Sequence, residues 1–455
     1  MAAAAISTYQ AQAPPAPLPP LPLNEWPATE IARGIAAGDT TCEAVVRACL
    51  ARIAEHEPVV RAWTNFDPER ALAEARSRDR AASRGPLHGV PIGIKDVIDT
   101  FDMPTEMGSP IYRGHRPPAD AACVALLRAA GAVILGKTVT CEFAGVTPAA
   151  TTNPHDETRT PGGSSSGSAA AVADCMVPVA LGTQTGGSVL RPASYCGVIG
   201  YKPTYNAFSR VGVKAAAEGL DTVGVIARSL DDIALLRAVL LGRTPAPLVA
   251  APPPRIGLTR THLWDHAKPE TVAAVEDAAE RLAEAGATII DVNLPDAFAE
   301  LKEAREVVND CERAVAMADE WHRHRDLISE RLQKIVQRGL DALPRDYARA
   351  VRLAERCRGE LEGAFGAADM LLAPCVRGEA PEGLHYTGDP GFQALWTLLQ
   401  VPTLTLPTAA GPNGLPVGIQ LVGRRHDDEH LLASSKWIFA TLGVRRPWRG
   451  HRAHG

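Results

Sequence analysis

Two segments rich in glycine and serine, residues 161–168 (PGGSSSGS) and 182–188 (GTQTGGS), lie a short span apart in the middle of the chain. Upstream of both, the apolar run 89–96 (GVPIGIKD) carries Lys95. Together these segments offer hydroxyls, one amine and a row of backbone N–H groups unshielded by large side chains. These are the parts of a serine hydrolase that works without histidine, and the chemistry they suit is cleavage of an acyl C–N bond.

Ser188 is the expected nucleophile. Gly186 and Gly187 let the backbone approach a bound carbonyl closely, and the N–H groups of Thr185, Gly186, Gly187 and Ser188 form the expected oxyanion hole. No histidine is local, so the base must come from elsewhere. A lysine at the end of an apolar strand can be held neutral, because desolvation disfavours its charged form, and Lys95 fits that description. A second hydroxyl from the 161–168 turn would bridge the two. On local sequence alone, the same segments also suit plain flexible turns with a surface lysine.

The elements that must position these groups alternate between helical and strand patterns. Helical periodicity covers residues 24–55, 68–82, 120–130 and 166–174, and apolar strands are expected at 90–94, 132–135, 177–181 and 197–201. A proline-rich connection at 244–254 is followed by strand 255–258, helix 270–285, strand 287–292 and charged helices over 297–365. Strands at 370–373, 403–406 and 418–422 and a helix at 428–442 complete the pattern. This alternation indicates an α/β fold with a mixed, largely buried sheet. The 297–365 stretch reads as a variable helical cover over one side of the sheet, where substrate selectivity would reside.

The bulk properties bound the alternatives. The 455 residues are 46% hydrophobic and 22% charged, with 47 basic against 52 acidic residues and a net charge of −5. That suits a globular protein with a large core and shows no basic stripe for nucleic acid. No apolar run reaches membrane-spanning length. The nine cysteines form no CxxC pair, so thiols in a reducing, cytoplasmic compartment are expected. Residues 1–24, rich in alanine and proline, read as a disordered leader, and 446–455 as a tail.

Three motifs mislead. Residues 131–138 (GAVILGKT) match the phosphate-loop pattern, but their middle is itself an apolar strand rather than an open loop. Residues 163–167 (GSSSG) match a nucleophile elbow centred on Ser165, yet a polar turn precedes them where a strand is required. His426 and His430 have metal-ligand spacing but complete no HExxH motif, so exposed surface histidines and no metal site are expected.

Taken in order, the segments at 89–96, 161–170, 182–188, 191–193, 196–204, 220–224 and 414–423 make the chain resemble the amidase signature family over about residues 25–442. The resemblance implies a single large domain, residues 25–445, with a mixed sheet covered by helices on both faces. It implies a triad of Ser188 as nucleophile, Ser164 as bridge and Lys95 as base, Ser164 lying 24 residues before Ser188. It further implies a cis peptide preceding Ser164, supporting hydrogen bonds from Ser165 and Ser166, and no cofactor. Met107, Gly108, Gln184 and Leu190 are expected to contact substrate, while Met103, Met107, Ile111 and Tyr112 read equally as an apolar wall or as core packing. Many family members carry Asp at the position of Gln184 and Arg at that of Leu190. The missing charges favour a stand-alone hydrolase, a monomer or homodimer, acting on small neutral, hydrophobic or aryl amides and on carbamates or esters by the same route. The second reading is the glutaminase subunit of a glutamine-dependent aminoacyl-tRNA amidotransferase.

Overall fold

A computed structural model describes residues 21–81 and 85–443. Most of the expected leader and all of the expected tail lie outside the described residues. The described residues contain eleven strands in one mixed sheet. In chain order these are β1 (Trp63–Phe66), β2 (Pro91–Lys95), β3 (Val133–Thr138), β4 (Val179–Gln184), β5 (Ile199–Lys202) and β6 (Thr222–Ala227). They continue with β7 (Arg255–Leu258), β8 (Thr288–Asp291), β9 (Met370–Pro374), β10 (Thr403–Ala410) and β11 (Pro416–Val422). The spatial order is β1-β3-β2-β4-β6-β5-β10-β11-β9-β7-β8. Parallel pairing joins β3, β2 and β4, and again β9, β7 and β8, while the centre of the sheet is antiparallel.

The central strands are buried on both faces, which explains their nearly unbroken apolar sequences. Helices pack on both sides. The helical pattern at 24–55 is two helices, Ala28–Ala37 and Cys42–Val60, because Gly38 takes the left-handed conformation (φ 82°) and ends the first. Strand β6 and the helices Leu190–Tyr195, Leu230–Leu240 and Gly391–Leu398 are additions to the expected elements. The charged stretch 297–365 resolves into the helices Leu301–Ala316, Ala318–Arg323, Glu330–Asp341 and Pro344–Phe365. Leu301, Ala304 and Val308 of the first pack in a second core cluster with Leu371 and Ala373 of β9 and with Trp396.

Register fixes the site. Ile92, Gly93 and Ile94 of β2 pair in parallel with Val179, Ala180 and Leu181 of β4. Lys95 and the 185–188 turn therefore emerge side by side at the carboxyl ends of neighbouring parallel strands, where α/β sheets bind ligands. The false phosphate loop runs through β3, and its Lys137 is buried against Asp96 at 3.1 Å and Thr105 Oγ1 at 2.6 Å. Asp96→Ala would strand that ammonium in the sheet, and a loss of about 3–5 kcal/mol is expected in urea denaturation.

Candidate active site

The Ser166–Ala173 helix begins immediately after the serine turn and lies against the sheet. Its small residues allow the close approach: a Cβ on Gly167 would come within 2.1 Å of the Ala62 carbonyl oxygen. Ser168 Oγ donates to the Leu181 carbonyl of β4 (2.9 Å), fixing the helix to the strand that leads to Ser188. The Gly163–Ser164 peptide is cis. Ser164 is buried, its carbonyl accepts from Cys141 N (3.2 Å), and Ser165 N donates to the Ser188 carbonyl (3.2 Å). Ser165 Oγ meets the backbone of Thr183, and Ser166 Oγ donates to the Gly162 carbonyl at 2.8 Å.

Lys95 Nζ donates to Ser164 Oγ at 2.7 Å and to Thr183 Oγ1 at 2.8 Å, with a longer contact of 3.4 Å to the Thr183 carbonyl. The amine is completely buried. Desolvation pulls its pKa down to about 7, with Arg313 and Arg191 pushing the same way and Cys141 and Asp221 opposing them. Near neutrality this lysine is therefore poised to hold or release a proton. Thr183, a second hydroxyl on the amine, was missed in the sequence, because a threonine near a strand end carries no distinguishing signal.

Ser188 sits in the turn between β4 and the Leu190–Tyr195 helix. Its hydroxyl makes no hydrogen bond among the described residues, and neither do the N–H groups of Gly186, Gly187 and Ser188. Three side chains brace this turn. Thr185 Oγ1 donates to Asp221 (2.5 Å), whose other oxygen accepts from Ala216 N and Ala217 N. Thr397 Oγ1 donates to the Gly186 carbonyl (2.6 Å). Gln184 Oε1 accepts from Val189 N (2.9 Å) and Leu190 N (3.1 Å), while its Nε2 donates to Thr397 Oγ1 (3.0 Å).

These contacts correct the expected substrate residues. Gln184 is fully buried, and every polar atom of its amide serves the turn; it is a brace rather than a substrate ligand. Leu190 is likewise buried in the core. The absence of charge at these two positions therefore carries no information about substrate polarity. Met103 and Met107 also belong to the core, with Ile111 and Tyr112 packed against it, so of the two readings these residues fit core packing. Gly108 does border open space, a cleft of about 410 Å³ shared with Thr140, Glu142, Asp326, Ile328 and Ser329. One wall of this cleft thus comes from the 297–365 cover.

Three arginines are charged groups near the turn, and only Arg191 lies in a segment that the sequence marked out. Arg191 is buried, donating to the Thr387 carbonyl (2.7 Å) and the Gly163 carbonyl (2.6 Å). From the Leu301–Ala316 helix, Arg305 reaches the Thr185 carbonyl (3.4 Å) and Arg313 the Phe143 carbonyl (3.0 Å). Burial lowers the pKa of all three. The spacing of Arg305, Asn309 and Arg313, every fourth residue, was the available signal, but on a charged helix it reads as a solvated stripe.

Among the described residues, no helix is long and apolar enough to cross a membrane, and no group of three or more His, Cys, Asp or Glu could hold a metal ion.

The family model for amidases matches residues 44–432. The chain belongs to the amidase signature family. A glutamyl-tRNA(Gln) amidotransferase subunit from Chloroflexus aggregans is 36% identical over 453 residues, covering 88% of this chain and 92% of that protein. Among solved structures, the native peptide amidase from Stenotrophomonas maltophilia superposes with a TM-score of 0.79 at 30% identity, covering 95% of this chain and all of that one. The 6-aminohexanoate cyclic dimer hydrolase gives 0.82 at 27% identity, covering 93% and 99%. The chain is thus an amidase signature C–N hydrolase built on the fold of these enzymes.

Proposed function

We propose that this amidase cleaves small amides through an acyl-enzyme on Ser188, with Ser164 and Lys95 as its proton relay. The observation that carries this reading is the 2.7 Å hydrogen bond between Ser164 Oγ and a buried lysine amine whose pKa lies near 7. Neutral Lys95 takes the proton of Ser164 as Ser164 takes that of Ser188, and Ser188 Oγ adds to the carbonyl carbon. The N–H groups of the 185–188 turn, which have no protein acceptor to lose, receive the developing oxyanion. The C–N bond then breaks, and the proton returns through Ser164 to the departing nitrogen. Water attacks the acyl-enzyme by the same relay and frees the acid. Carbamates and aryl esters offer an equivalent carbonyl and leaving group to this machinery.

Ser164→Ala removes the bridge but neither the nucleophile nor the oxyanion donors. A fall of roughly 10²–10⁴-fold in kcat is expected, read by ammonia release from primary amides. The identity to the amidotransferase protein over most of both chains supports the second reading, a glutaminase working within a complex. The two separate on one experiment: the purified protein alone is offered a panel of small amides and aryl carbamates, with Ser188→Ala as control. Turnover that depends on Ser188 supports the stand-alone hydrolase. No turnover by folded protein, with glutaminase activity appearing only when cell extract is added, favours the partner-dependent glutaminase.

A further inference from the structure

Four buried polar atoms around the Ser188 turn lack a protein partner: Arg191 Nη1, Arg305 Nε, Arg313 Nε and Gln393 Oε1. Three belong to guanidinium groups, and none of these arginines forms an ion pair with a carboxylate among the described residues. A guanidinium taken out of water without an anion is costly. The carboxylates nearest to Arg313 are committed elsewhere: Asp221 to Thr185 and the backbone of Ala216 and Ala217, Asp310 to Arg338, and Glu142 to Ser329.

The three arginines are not equivalent. Arg191 spends three hydrogen bonds on Thr387 and Gly163. Arg313 holds the Phe143 carbonyl, in a turn where Phe143 and Ala144 both take positive φ. Arg305 has only its 3.4 Å contact to the Thr185 carbonyl, and it alone of the three is partly exposed. Its guanidinium occupies the space beside Gly186, with Nη2 only 2.8 Å from where a Cβ on that residue would be.

We propose that the substrate carries a carboxylate on its acyl part, received by Arg305 beside the 185–188 turn in a field reinforced by Arg313. This deepens the reading of Ser188 as nucleophile and rests on it. The acyl side follows from the relay: the leaving nitrogen must face Ser164 to be protonated, and Arg305 touches the oxyanion turn, at Thr185 and Gly186, rather than the serine turn. The buried carboxylates beside the turn, Asp221 and Asp310, are already bonded, so the acid that fits is a plain half-amide rather than an α-amino acid. Arginine suits this task because its fork can bind a carboxylate with two parallel hydrogen bonds.

The test compares kcat/KM for succinamate and glutaramate with that for their methyl esters, whose carboxylate charge is removed, following ammonia release. Glutamine is a third arm. Arg305→Met and Arg305→Lys are measured beside wild type, and thermal melting establishes that each is folded. Wild type is expected to favour the better half-amide over its ester by about 10²-fold or more, and Arg305→Met to collapse that ratio chiefly through KM, with partial recovery in Arg305→Lys. An unchanged ratio in folded Arg305→Met, or a wild-type preference for the esters, overturns the proposal. A preference for glutamine over both half-amides overturns its exclusion of an ammonium. Ser188→Ala keeps the two readings apart. If that variant still turns over, the nucleophile assignment fails; if it is dead while the ratio is insensitive to Arg305, only the anion assignment fails.

Discussion

Ser188→Ala is expected to lower kcat for amide hydrolysis by at least about 10⁴-fold while leaving the fold intact. The size follows from what remains. Without the hydroxyl no acyl-enzyme can form, and the free N–H groups of Gly186, Gly187 and Ser188 could only polarise a carbonyl for attack by water. The fold is expected to survive because Ser188 Oγ makes no hydrogen bond among the described residues, so its removal strands no partner. Thermal melting should therefore stay within about 1 kcal/mol of wild type. Intact-protein mass spectrometry during turnover of an aryl ester gives a second readout: wild type should gain the mass of the acyl group, and the variant should not. Near-wild-type turnover by the folded variant would remove Ser188 from the mechanism.

The parts of this site that were legible in the sequence are those whose chemistry is local. A lysine closing an apolar strand and a Gly-Gly-Ser turn after another strand both announce themselves, and parallel pairing of β2 with β4 sets them side by side. Much of the α/β alternation was legible for the same reason, since buried strands such as β3 and β4 are short apolar runs. What escaped depends on long-range contacts. Gln184 looked like a specificity position because many amidase signature members carry Asp there. Its role as a brace needs Thr397, brought in from 213 positions away. Leu190 looked like a missing charge, yet it begins a six-residue helix too short for periodicity to reveal. Arg305 and Arg313 were hidden in a helix whose many charges suit a solvated face. The packing of Leu301, Ala304 and Val308 turns that helix so that Arg305 meets the turn and Arg313 the neighbouring Phe143 carbonyl. If Arg305 receives the substrate carboxylate as proposed, substrate polarity is set by residues remote in sequence from the glycine and serine segments.

Replacing Lys95 separates the relay from mere architecture, because the lysine is expected to help catalysis and to burden the fold at once. With its pKa near 7, Lys95 is protonated below that pH and cannot accept the proton of Ser164. In wild type, kcat/KM for a neutral amide should thus climb with pH and level off above about 7. Lys95→Met, which retains much of the volume, should lose at least about 10³-fold and with it this limb of the profile. The stability effect has the opposite sign. In the unfolded chain a lysine titrates near about 10.4, so between about 7 and 10.4 the unfolded state binds more protons and wild-type stability rises with pH. Below about 7 the full cost of burying a group that prefers to be charged is present, on the order of a few kcal/mol. Lys95→Met removes that cost but also the hydrogen bonds to Ser164 and Thr183, so its stability relative to wild type should improve as pH falls from about 10 to 7. Lys202, also buried with a pKa near 7, titrates in both proteins and cancels from the difference. Denaturation curves at the two pH values measure this directly. A difference that does not move with pH would mean that Lys95 keeps an ordinary pKa in the folded protein, and a lysine charged throughout the neutral range could not serve as the base.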